Sequence, residues 1–106
     1  MALWYSDDVR KKLSERHKVS EDEVRQCFEN LDGEYIKDTR EEHRTDPPTF
    51  WFIAETNRRR LLKVCFVAKK IKTESGSETR VEIKTAYPPN AEEIAIYKRF
   101  GSCSKK

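Results

Sequence analysis

The sequence predicts an α+β fold, an antiparallel sheet of about four strands with two N-terminal helices and one C-terminal helix packed on one face. Three observations predict it. Two helix-start signatures lie close together near the N-terminus, three runs rich in β-branched and aromatic residues follow one another, and a last capped amphipathic segment closes the chain. The length of 106 residues is that of one domain, so residues 1–106 are read as a single unit with 101–106 as a flexible tail.

Ser6 is the expected N-cap of the first helix. Asp7 and Asp8 in the opening turn suit the positive end of the helix dipole, Val9 and Leu13 supply the apolar stripe, and the helix is expected to reach about His17, whose imidazolium would favour the negative end. Ser20 and Glu23 form a capping box ahead of Val24, Cys27, Phe28 and Leu31 at helical spacing, and Gly33 is the expected left-handed stop. Residues 34–38 predict one short strand. The polar stretch 39–49, with Pro47 and Pro48, predicts a long loop. Residues 50–56, 61–68 and 79–87 predict three strands joined as hairpins through Asn57-Arg58-Arg59-Arg60 and through residues 69–78. Asn90 and Glu93 form a second capping box, placing Ile94, Tyr97 and Phe100 inward on the last helix.

Composition removes several function classes. Eleven Phe, Trp and Tyr are too many for a disordered chain, although 39% of residues are charged. No apolar run approaches the roughly 20 residues that span a bilayer, and the opening residues lack the layout of a signal peptide, so the expected location is cytoplasmic. Cys27, Cys65 and Cys103 fit neither a disulfide framework nor a paired zinc site, and no Gly-rich phosphate loop or spaced ligand set is present; no cofactor and no metal is expected. The net charge of +3 hides an asymmetry, −5 over residues 1–56 and +8 over residues 57–106. The second half is a candidate surface for a polyanion or an acidic partner.

Strand alternation sorts these charges. Leu62, Val64, Phe66 and Ala68 form one row, which puts Lys63 on the other side with Leu61, Cys65 and Val67; Val81 and Ile83 form the buried row of the last strand, opposite Arg80, Glu82 and Lys84. If that other side is open, Lys63, Arg80 and Lys84 converge there, bordered by Arg58, Arg59 and Arg60, in an arrangement suited to phosphates. Glu82 between two cations is equally what a plain cross-strand pair looks like. Thr85 and Tyr87 share one face just before Pro88 and Pro89, where their hydroxyls are placed to orient a phosphate or protonate a leaving oxygen. His43, in the polar loop, is the candidate proton acceptor, with Glu82 as its substitute.

The order and spacing of Trp4-Tyr5-Ser6-Asp7, of Arg16-His17-Lys18-Val19-Ser20 leading to Glu23 and Phe28, of Arg60-Leu61-Leu62-Lys63-Val64-Cys65-Phe66, and of Ile83-Lys84-Thr85-Ala86 followed by Glu93 and Tyr97 resemble the BrnT family of small toxins, and more loosely the RelE-like and colicin-like ribonucleases. The resemblance implies a metal-independent endoribonuclease that halts translation and is silenced by a cognate antitoxin. The family's last strand usually ends in Ser-Ala-Arg with the arginine in the active site; here Thr85-Ala86-Tyr87 stands instead, which passes that arginine's role to Arg80, Lys84 or Arg58. Two other classes compete: a non-catalytic module binding RNA or an acidic protein, and a small protein of the type labelled ADP-ribosyl-(dinitrogen reductase) hydrolase. The true hydrolases of that name are larger, helical and metal-dependent, and this chain lacks their length and clustered carboxylates.

Overall fold

A computed structural model describes residues 2–37 and 48–101. Its elements are β1 (Ala2–Trp4), α1 (Asp7–Lys12), a π-helical turn (Leu13–His17), α2 (Glu21–Asn30), β2 (Ile36–Lys37), β3 (Thr49–Glu55), β4 (Leu61–Thr73), β5 (Gly76–Tyr87) and α3 (Ala91–Phe100). The fold class is α+β, as the sequence predicts. The sheet has five strands in the order β1-β5-β4-β3-β2, and it is mixed, because β1 runs parallel to β5 while the other pairs are antiparallel.

All three expected helix starts are present. Ser6 Oγ accepts from the Val9 N–H, and both capping boxes close in both directions, Ser20 with Glu23 and Asn90 with Glu93. Such caps contribute about 1 kcal/mol each. Gly33 is not the left-handed stop: α2 ends at Asn30, and Leu31 leaves it in an extended conformation.

The placement of α3 departs from the expectation. Phe28 of α2 packs on Phe52 and Phe66, whereas Tyr97 of α3 packs on Trp51. Trp51 and Phe52 are consecutive on β3 and so point to opposite sides. The N-terminal helices therefore cover one face and α3 covers part of the other. The main core, with Leu13, Val24, Cys27, Phe52, Leu62, Val64 and Ile83 fully buried, lies on the first face. Each large apolar side chain removed from water there contributes roughly 1.5–3 kcal/mol. Phe100, expected to face inward, is 69% exposed.

The β4–β5 hairpin is longer than its polar residues suggest. The strands pair out to Thr73 and Gly76 around a two-residue turn, with Gly76 at φ +133°, so residues 69–78 are mostly strand. A bulge interrupts the ladder: Cys65 pairs with Thr85 and Phe66 with Ile83, leaving Lys84 as the extra residue. No helix among the described residues is long and apolar enough to cross a membrane. His43, most of the polar stretch 39–49, Cys103 and residues 102–106 lie outside the described residues.

Candidate functional site

The cations expected to converge do not. Lys63 and Arg80 share a face, but Lys63 pairs across β4–β5 with Tyr87 and Lys69 with Arg80, so six positions of β4, about 20 Å, separate them. Lys63 is also not open to solvent. It is 4% exposed beneath α3, because the helix that was expected on the other face lies over it. Arg80 sits at the far end, its guanidinium 5.5 Å from the ring centroid of the exposed Trp4. Glu82 stands near that end, paired with Lys69 at 3.3 Å, and so is no substitute base for Tyr87. Lys84 is exposed on the bulge, and Thr85 is half-buried opposite Cys65.

A different group does come together at the opposite end of the sheet. Lys63 Nζ donates to Glu93 Oε2 at 2.9 Å and to the Tyr87 hydroxyl at 3.2 Å, and the Tyr87 hydroxyl donates to the same Glu93 oxygen at 2.9 Å. Lys63 also lies over the Trp51 ring, 4.6 Å from its centroid. Glu93 has two jobs: its other oxygen closes the capping box by accepting the Asn90 N–H. The His17 ring meets the Tyr87 ring of this triad at a centroid distance of 5.4 Å. Both rings are half-buried, and the Lys63 side chain beneath α3 is buried.

Electrostatics tunes each member. Burial works against the Lys63 ammonium, but the bonds to Glu93 and Tyr87 prevail and hold its pKa above the ordinary value. Burial likewise works against charge on Glu93, and there the bonds from Lys63, the Asn90 N–H and Tyr87 hold the carboxyl below its ordinary range. Burial raises the Tyr87 phenol. Burial, with Lys12 and Arg16 nearby, lowers His17, leaving a neutral imidazole at neutral pH.

Of the three arginines between β3 and β4, Arg60 turns inward. Its guanidinium donates to the carbonyls of Lys18 (2.8 Å) and His17 (3.2 Å) and to both oxygens of Glu23 (3.0 and 3.2 Å). It fixes the end of the π-helical turn that carries His17, and is not a free RNA contact. Arg58 and Arg59 are exposed on the same turn. No local pattern in the sequence marks His17 or Glu93 for this site. One resembles a helix end and the other a cap, and only tertiary packing brings them to Tyr87. Among the described residues no group of three or more His, Cys, Asp or Glu side chains is arranged to hold a metal ion.

Comparison with protein-family models, with curated proteins and with solved structures finds no match to this chain.

Proposed function

We propose that the chain is a small endoribonuclease of the BrnT-like toxin kind, acting in the cytoplasm by attack of a ribose 2'-hydroxyl on the adjacent phosphate, with no need of a metal ion. One observation carries this reading: the His17 imidazole and the Tyr87 ring meet at a half-buried edge, and the Tyr87 hydroxyl is bonded to a lysine–glutamate pair. An acid and a base side by side is what the reaction requires. The His17 imidazole takes the 2'-hydroxyl proton as the 2' oxygen bonds to phosphorus. The bond from phosphorus to the 5' oxygen breaks, and Tyr87 delivers its proton to that departing oxygen. Lys63 acts through Tyr87, donating to the phenolate that remains, and Glu93 holds both in place; these two are positioning residues. Solvent then returns the proton from imidazolium to phenolate. The products are a 2',3'-cyclic phosphate and a 5'-hydroxyl.

The test is incubation of the purified protein with total RNA, with and without chelator. Fragments with cyclic phosphate ends in both samples, lost in His17→Ala and Tyr87→Phe, are expected. Intact RNA at high protein concentration overturns the reading. A second reading, a non-catalytic module for RNA or an acidic partner, draws on the exposed cations Arg58 and Arg59 on the β3–β4 turn. It expects salt-sensitive binding without cutting. A toxin of this kind also calls for a cognate antitoxin, checked by whether a neighbouring reading frame relieves growth arrest.

A further inference from the structure

Among the described residues, two that are not glycine hold a left-handed backbone: Lys18 at φ 55° and Arg59 at φ 67°. Both positions are ones where glycine is the cheaper occupant. Lys18 ends the π-helical turn, its N–H and that of Val19 both returning to the Leu13 carbonyl, which is where a helix commonly places glycine. Arg59 lies in the tight β3–β4 connection, its N–H bonded to the Thr56 carbonyl while Thr56 Oγ1 accepts from Arg58 and Arg60 on either side. Each position carries a cation, and each cation is exposed with no ion-pair partner among the described residues.

The two turns are linked through Arg60. Arg60, next to Arg59, grips the Lys18 carbonyl and is itself held by Glu23. The connection is latched from α2 as well: Gln26 Oε1 accepts the Asn57 N–H, and the Asn30 amide donates to the Glu55 carbonyl and to Asn57 Oδ1. Strained backbone persists where its surroundings over-determine it, and such strain collects at functional sites. Lys18 follows His17, whose ring touches Tyr87, so this rigid rim borders the edge where those two rings meet.

We propose that Lys18 and Arg59, with Arg58 beside them, form a preorganised clamp for the phosphate backbone of an RNA strand, gripping the phosphates that flank the one at His17 and Tyr87. The clamp rests on the ribonuclease reading for its ligand. Charge and conformation are separable here, which gives a sharp test. Binding of a fluorescein-labelled 2'-O-methyl RNA oligonucleotide, which cannot be cut by 2'-hydroxyl attack, is followed by anisotropy across a salt series. Lys18→Gln and Arg59→Gln keep a side chain and remove the charge. Each is expected to leave Tm near that of the parent, to weaken binding several-fold and to reduce the slope of log affinity against log salt by about 1. Lys18→Gly and Arg59→Gly are expected to weaken binding equally while raising Tm by a few degrees. Parental affinity and salt slope in both glutamine variants overturn the clamp, whatever the glycine variants do to Tm. If the parent binds this RNA through the clamp but total RNA stays intact, the cleavage reading fails alone; if total RNA is cut while the glutamine variants bind normally, the clamp fails alone.

Discussion

Lys63 and Arg80 stand on one face of one sheet, yet they live in different media. At the covered end a helix lies over Lys63, and the ammonium is bonded to Glu93, to Tyr87 and to the face of Trp51. At the open end Arg80 rests on an exposed Trp4, and an exposed Lys69 pairs with a mostly enclosed Glu82. The same alternation placed both residues. What differs is the third layer, and it decides whether a charge is a solvated surface group or part of a tuned cluster.

Substitution at the two ends should differ by several kilocalories. Lys63→Ala leaves Glu93 enclosed without its partner and is expected to cost on the order of 3 kcal/mol, read from the denaturation midpoint. Lys63→Met with Glu93→Gln removes both charges at similar volume and should recover much of that loss. Arg80→Ala is expected to stay within about 0.5 kcal/mol of the parent. Equal effects at the two ends would remove the distinction between them.

The covered pair should also make stability depend on pH. The folded Glu93 pKa lies below the ordinary value of 4.5, so its contribution is fully present above that value and is lost as pH falls through the lower folded one. The folded Lys63 pKa lies above 10.5, so its contribution is present below that value and is lost as pH rises through the higher folded one. Glu93→Gln should flatten both limbs in a melting series. A smaller effect concerns activity. Because His17 is held below 6.5, cleavage should rise with pH through a midpoint under that value, and a midpoint above it would argue against His17 as the base.

How much of this was legible beforehand follows from what each signal encodes. Caps are local chemistry, and Ser6, Ser20–Glu23 and Asn90–Glu93 all act as their spacing predicts. The two rows of β4 were also readable, since alternation is a property of one strand. The side on which α3 lies was not, because Ile94 and Tyr97 make an apolar stripe that fits either face of a sheet. β1 escaped notice because three residues carry no periodicity and its parallel partner, β5, is remote in sequence. The outer halves of β4 and β5 resembled a loop because strands reaching into solvent need no apolar row. The site suffered most from these gaps, since Lys63 changed role with the position of α3, and His17 joined Tyr87 through contacts between distant parts of the chain.

The most direct measurement compares RNA cleavage by Tyr87→Phe and Arg80→Ala side by side, with both variants first shown to be folded. Loss of roughly 10²–10⁴-fold in Tyr87→Phe with near-parental cleavage in Arg80→Ala is the result expected if the helix-covered end does the chemistry. Cleavage that survives in Tyr87→Phe and collapses in Arg80→Ala would place the reaction at the open end and contradict it.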